Sequence, residues 1–183
     1  MIVNKIYAWA RITPEHPAIF WNGNTISYAS LARNVEITRR HLARQQLTPG
    51  SFAIISISSQ LDAWAAMLAA RAIGLHALVI NTPNQIGRLD LPGEAAIITL
   101  ADALDPELAN EAALNDMRLV TIPLEGLDSR LAADVFASLP DESQLGGYLL
   151  LTSGTTGVYK KVLVDCRAED MRARAINAIY KVN

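Results

Sequence analysis

Apolar and polar positions change period along the chain, and these changes predict the first elements of structure. Residues 3–12 predict a short helix, which TPEHP (13–17) ends because proline removes a backbone donor and restricts the residue before it. The segments AIFW and TISY flank NGN (22–24) and predict a β-hairpin, since Asn-Gly suits the positive φ of a tight turn. A helix follows, with Ser30 or a residue just before it as its N-cap. One apolar face of this helix carries Leu31, Val35, Thr38 and Leu42.

The next three segments predict a β-α-β unit. FAIISIS (52–58) and LHALVIN (75–81) lack polar alternation, which is typical of strands buried on both faces. Between them lies a helix that is apolar almost all round, with Ser59 as its N-cap and Gly74 at its end. Strand, helix and strand in this order predict a parallel pair.

Two further strands are predicted at AAIITL (95–100) and RLVTIP (118–123), with a helical segment between them. A last strand at 162–164 and a helix at 168–180 complete the pattern. The alternation predicts an α/β fold, a layered domain with a mainly parallel sheet flanked by helices.

Composition narrows the classes of partner. The 183 residues carry 16 cationic and 18 anionic side chains, a net charge of -2, so no basic field favours nucleic acid. The longest apolar run, residues 63–70, is too short to span a bilayer. The single cysteine, Cys166, excludes an internal disulfide and fits a reducing cytoplasm, where we expect the protein to act. The three histidines are far apart and lack metal-ligand spacing.

The stretch LLLTSGTTGVYKKVLV (149–164) carries the candidate chemistry. Its glycines, Gly154 and Gly157, allow a ligand to approach the main chain closely, and Lys160 adds a positive charge. Hydroxyl groups that can donate to an oxyanion come from Thr152, Ser153, Thr155 and Thr156. Successive backbone amides in such a turn can form an anion-binding nest. Composition alone leaves two interpretations open, a flexible polar connection and a phosphate-binding loop; the spacing does not match a Walker A loop.

The same stretch resembles the phosphate-binding signature of the AMP-forming acyl-activating enzymes, a hydrophobic segment followed by TSGTTGxPKGV. Residues 152–157 match without a gap, and Lys160 falls on the lysine of the pattern. Tyr159 replaces the usual proline and Lys161 the usual glycine, which predicts a looser loop exit and added bulk and charge. The segments 16–35 and 47–81 are similar to earlier parts of the family pattern, in the same order.

The resemblance implies a reaction and its cofactors. A carboxylic acid would react with ATP to give an acyl-adenylate and pyrophosphate, and a thiol of coenzyme A or a carrier protein would then accept the acyl group. The loop residues Thr152, Ser153, Gly154, Thr155, Thr156, Gly157 and Lys160 would bind the phosphates. The family holds Mg²⁺ through a glutamate in a motif that lies after the loop and is absent from residues 1–183.

The resemblance therefore predicts that residues 1–183 form the N-terminal subdomain of the adenylate-forming large domain, without its C-terminal catalytic regions. We expect no adenylation activity from these residues alone. The alternative is a non-catalytic module that keeps the fold and binds a nucleotide or a partner. Apolar surface that the missing regions would cover predicts a homo-oligomer, a dimer or larger.

Overall fold

The computed structural model describes residues 2–123, 141–152 and 159–180. Its helices are α1 (Ile2–Ile12), α2 (Tyr28–Ala43), α3 (Gln60–Ala72), α4 (Pro106–Leu114) and α5 (Cys166–Tyr180). Its strands are β1 (Pro17–Trp21), β2 (Asn24–Ser27), β3 (Phe52–Ile55), β4 (His76–Val79), β5 (Ala95–Leu100), β6 (Arg118–Ile122), β7 (Tyr148–Thr152) and β8 (Lys160–Val164). Short 3-10 helices cover Pro83–Arg88, Ala101–Ala103 and Glu142–Gln144.

Six strands form the main sheet in the order β6-β5-β3-β4-β7-β8. The neighbours from β6 to β7 pair in parallel, and β8 turns back antiparallel to β7 at the sheet edge. The strands β3 and β4, joined by α3, form the predicted parallel pair. This arrangement confirms the α/β fold with a mainly parallel sheet flanked by helices.

The sheet separates two apolar cores, because successive side chains of a strand point to opposite faces. On one face, Ala53 and Ile55 of β3 pack with residues of α1, α2 and α3. On the other face, Ile54 packs with residues of α4 and of the 83–91 segment. Burial of β3 on both faces explains why its sequence shows no polar alternation.

The hairpin β1–β2 forms a small separate sheet, as the Asn-Gly pair predicts. Asn22 and Gly23 have φ of 47° and 77°, the left-handed conformation that a tight hairpin turn requires. Ser27 ends β2 and caps α2, because its Oγ accepts a hydrogen bond from the Ser30 amide at 3.3 Å.

Helix α2 buries its predicted apolar face and, in addition, a carboxylate. Glu36 is 1% exposed and accepts hydrogen bonds from Tyr7 Oη at 2.9 Å, from Arg39 at 2.7 and 2.8 Å, and from Arg40 Nε at 2.7 Å. Burial raises the pKa of Glu36, but hydrogen bonds from Arg39 and Arg40 outweigh it, so the pKa lies below its usual value. The Tyr7–Glu36 bond ties α1 to α2.

None of the helices in the described ranges has the length and apolar character needed to cross a membrane.

Candidate functional site

The candidate loop lies between the two strands of the edge hairpin. Strands β7 and β8 pair from Tyr148–Val164 to Thr152–Lys160. The two ends of the loop therefore lie directly opposite each other, one strand spacing apart. Thr152 and Lys160 are the predicted binding residues within the described part of the chain. The others, Ser153, Gly154, Thr155, Thr156 and Gly157, lie outside the described residues.

The base of the loop lies at one particular edge of the sheet. Because β7 is parallel to β4 and, through it, to β3 and β5, Thr152 lies at the edge where the carboxyl ends of those strands meet. Ligands of open α/β sheets bind at this edge, outside the carboxyl ends of the strands. A polar groove of about 380 Å³ lies at the same edge, lined by Ser56, Ser58, Asn81, Asp105 and apolar neighbours.

The paired lysines at the start of β8 lie in different surroundings. Lys160 is exposed, and among the described residues no carboxylate forms an ion pair with it. Lys161 is partly buried, and its Nζ donates hydrogen bonds to the carbonyls of Leu89, at 2.7 Å, and Asp90. Its Nζ also lies 3.6 Å from Asp90 Oδ2. One cation is thus available to a ligand, while the other is used within the fold.

Tyr159, the last residue before β8, contacts the same segment. The Arg88 guanidinium lies over its ring, 5.1 Å from the centroid, in a cation–π arrangement. The ring also packs against the apolar core below the sheet. Tyr159 and Lys161, the two departures from the family pattern, therefore both attach the loop exit to residues 83–90.

A buried arginine holds the opposite end of the hairpin. Arg71 is 1% exposed, and the other buried residues of α3 are apolar. Its Nε donates to the Gly146 carbonyl at 3.2 Å, and its guanidinium donates to Glu169 Oε2 at 2.5 Å and to Cys166 Sγ at 3.6 Å. Burial lowers the pKa of Arg71, but the hydrogen bond and charge of Glu169 outweigh burial, so the pKa is raised. Arg71 thus connects α3 to both the start of β7 and α5.

Gly146 lies where two backbones touch. A Cβ at this position would lie 1.8 Å from the Leu75 carbonyl oxygen. The Gly146 amide donates to the Arg71 carbonyl at 2.9 Å, and the Cys166 thiol donates to the Gly146 carbonyl at 3.1 Å. The segment before β7, which the sequence marks only as polar and glycine-rich, is therefore packed against the end of α3.

Sequence reasoning missed the roles of Arg71 and Lys161. The signal for Arg71 was one cation in the apolar run 63–73, because a charged residue there must find a buried partner. The partner, Glu169, is 98 residues away and could not be identified from spacing. Cys166, the single cysteine, is a buried thiol bonded to the Gly146 carbonyl.

Known proteins share this fold and part of its sequence. No family model matches the chain. A curated relative, nonribosomal peptide synthetase 8 from Aspergillus fumigatus, is 30% identical over 178 residues, which cover 93% of this chain. The chain spans 2% of the length of that synthetase.

Solved structures match over nearly the whole chain. The o-succinylbenzoate coenzyme A synthetase of Bacillus subtilis in complex with AMP superposes with a TM-score of 0.69 at 18% identity, over 97% of this chain and 46% of that one. The N-terminal subdomain of NpsA from Klebsiella oxytoca, in complex with 3-hydroxybenzoyl-AMSN, gives 0.64 at 21% identity, over 90% and 41%. At these identities the structural matches establish the shared fold.

Proposed function

We propose that this chain, which matches the N-terminal part of the AMP-forming acyl-activating enzymes in sequence and fold, supplies the phosphate-binding loop for ATP-dependent activation of a carboxylic acid. The observation that carries the proposal is the hairpin β7–β8. It places Thr152 and Lys160 face to face at the carboxyl edge of the sheet, at the two ends of the glycine- and hydroxyl-rich loop.

The described residues fit a phosphate group. Lys160 offers an exposed ammonium and Thr152 an exposed hydroxyl, and no described carboxylate neutralises that ammonium. When bound, ATP would supply the α-phosphate that accepts the carboxylate. The role of Lys160 and Thr152 is then to bind the leaving phosphates and offset their negative charge.

The proposed reaction has two balanced steps. A carboxylate oxygen bonds to the α-phosphorus while the bond to the β-phosphate oxygen breaks, which gives an acyl-adenylate and pyrophosphate. A thiol of coenzyme A or a carrier protein then bonds to the acyl carbon, and AMP leaves as the thiol proton is released. Within the described ranges, no group of three or more His, Cys, Asp or Glu side chains could hold a metal ion.

The direct test measures ATP binding by the 183-residue chain. NMR titration is the method, because it can measure weak binding. The expected result is saturable binding that Lys160→Ala abolishes, with a thermal stabilisation of about 2.7 kcal/mol at 100 times Kd. Lys5→Ala is the matched control, because it also removes one exposed cation, which lies on α1 and pairs with Asp170 of α5. Equal ATP affinity in the Lys160→Ala variant and the unaltered chain would refute the phosphate site.

A second measurement separates activation from binding alone. We propose that residues 1–183 act as the N-terminal subdomain and lack the later catalytic motifs, so pyrophosphate release with ATP and a panel of carboxylic acids should stay at background. Turnover by these residues alone would show that proposal to be wrong. The chain can also be joined to a segment that carries the later catalytic motifs. If this longer protein still released no pyrophosphate, the non-catalytic binding module would be the better interpretation.

Self-association is part of the proposal, because apolar side chains are exposed along β8 and α5. Val162 and Leu163 are about half exposed, and Met171 and Ile179 more so. Among the described residues no strand pairs with the outer side of β8, which adds backbone groups that a second copy could bond. Light scattering should show a dimer or larger species, whereas a monomer at all concentrations would contradict it.

A further inference from the structure

We propose that Lys161 and Tyr159 are positioning residues that hold Lys160 at the carboxyl edge of the sheet by anchoring the start of β8 to residues 83–90. The inference rests on the proposed function, because it assigns a purpose to the neighbours of a proposed phosphate ligand. It concerns the two positions where this chain departs from the family pattern.

The anchor of Lys161 is built from backbone carbonyls. The 3-10 helix Pro83–Arg88 has Leu89 as its C-cap, and carbonyls at the end of a helix lack partners within it. Asp90 then adopts φ of 44°, and the Leu89 and Asp90 carbonyls both accept from one ammonium, that of Lys161. Two of the three donors of a lysine are thereby used by the fold. Glycine at position 161 could make neither bond.

The anchor of Tyr159 lies beside it. The Arg88 guanidinium over the Tyr159 ring gives a second contact to the same segment. Proline restrains a loop exit by fixing φ, whereas tyrosine here restrains it through its side chain. At position 159 a side-chain contact thus replaces a backbone restraint, and at position 161 a side chain adds contacts to the same segment that glycine could not make.

The consequence for Lys160 follows from strand geometry. Neighbouring residues of a strand point to opposite faces, so fixing the residues on either side fixes the direction of the one between them. Lys160 lies between Tyr159 and Lys161, both anchored on the 83–90 side, and its own ammonium has no carboxylate partner in the described ranges. The anchors therefore hold the Lys160 backbone and leave its charge available.

The test compares ATP affinities of variants by NMR titration of the full 183-residue chain. Lys161→Met should raise Kd about tenfold, which corresponds to ordering the backbone of one residue on binding. Lys161→Arg keeps a cationic donor and should restore most of the affinity. Tyr159→Ala should raise Kd about threefold and Tyr159→Phe should not, because the ring face remains. Lys5→Met is the control, since it makes the same change in net charge on α1.

Salt distinguishes positioning from direct attraction. A direct charge effect of Lys161 on ATP would shrink at about 0.5 M salt, because screening weakens exposed charges. A positioning effect should persist as the ratio of Kd between Lys161→Met and the unaltered chain. Should Lys161→Met fail to fold, the Tyr159→Ala and Tyr159→Phe pair decides the same question.

The outcomes separate this inference from the proposed function. If the unaltered chain and Lys160→Ala bind ATP equally, the phosphate site fails and the anchors have nothing to position. If Lys160→Ala loses binding but Lys161→Met and Tyr159→Ala stay within twofold of the unaltered chain, the inference is wrong and the phosphate site stands. The inference would also be wrong if the ratio of Kd between Lys161→Met and the unaltered chain fell to one in high salt.

Discussion

Strand β3 at the centre of the sheet pairs along four residues with β4 and with β5, whereas β7 pairs with β4 only at Ala77–Tyr148. The centre is held by a long backbone ladder and by burial on both faces. The β7–β8 hairpin is joined to the body by backbone contacts at its start and by the side chains of Arg71 at one end and Lys161 at the other. Apolar burial on both faces therefore secures the centre, whereas the hairpin combines apolar contacts of Leu149, Leu151 and Tyr159 with one core and a few polar contacts.

The largest effect should come from the place where the hairpin touches the body backbone to backbone. Gly146→Ala would put a Cβ 1.8 Å from the Leu75 carbonyl oxygen, so one backbone must move. We expect a loss of about 4 kcal/mol or more in unfolding free energy, measured by urea denaturation. Gly87→Ala is the control, since its Cβ would meet only a side-chain oxygen at 3.6 Å. Equal unfolding free energies for the two variants would show that the contact with the Leu75 carbonyl does not exclude a Cβ at position 146.

The centre is tested next by removing buried apolar volume. Ile54 is fully buried in the core below the sheet, so Ile54→Ala should cost about 3 kcal/mol, the transfer free energy plus a cavity. Leu150 of β7 is 42% exposed, and Leu150→Ala should cost less than about 1 kcal/mol. Chemical denaturation of both variants measures the contrast. A larger loss at Leu150 would reverse the proposed division between centre and hairpin.

A smaller effect is expected from the charged clamp at the start of the hairpin. Arg71→Met removes the guanidinium donor from the Glu169 carboxylate and one of two donors from the Gly146 carbonyl, which keeps the Cys166 thiol. Because Glu169 is partly exposed, we expect a loss of about 2 kcal/mol, below that of a wholly buried pair. Hydrogen exchange should accelerate in β8 and α5 more than in β3. Uniform acceleration throughout the sheet would show that Arg71 supports the whole domain.

The smallest effect concerns a charge that serves the helical layer rather than the hairpin. The folded-state pKa of Glu36 is lowered, so its stabilisation is present above the unfolded pKa of about 4.3 and is lost as pH falls through the folded pKa. Glu36→Gln should flatten this acid dependence, and Tyr7→Phe should cost about 1 kcal/mol at neutral pH. Thermal melts between pH 3 and 7 test both. An unchanged slope in Glu36→Gln would exclude Glu36 as the acid-sensitive group.

The central strands and the helices could be predicted because local pattern determines them. Ser59 and Gly74 bound α3 as expected, and the apolar face of α2 is buried at Leu31, Val35, Thr38 and Leu42. The partners of Arg71 and Lys161, and the bond between Tyr7 and Glu36, could not be predicted in this way. Arg71 and Lys161 reach residues more than 70 positions away, so only the tertiary fold brings them together.

The candidate site likewise combines features that the sequence predicts with features that it does not. Motif resemblance selected Thr152 and Lys160, which the structure places opposite each other; the binding role of both stays a prediction. The departures at Tyr159 and Lys161 predict a looser exit when only the backbone preferences of proline and glycine are considered. Their side chains instead contact Arg88 and the carbonyls of Leu89 and Asp90, contacts that depend on the long connection between β4 and β5.

The single backbone pairing between β4 and β7 has a practical consequence for protein engineering. A transplant of residues 148–164 into another α/β scaffold would carry the loop and both strands but few of the interactions that orient them. The recipient would need an arginine and a close-fitting glycine where the graft begins, and two converging carbonyls near its far end. Without these, a single backbone pairing with the neighbouring strand would be left to fix the orientation of the grafted segment.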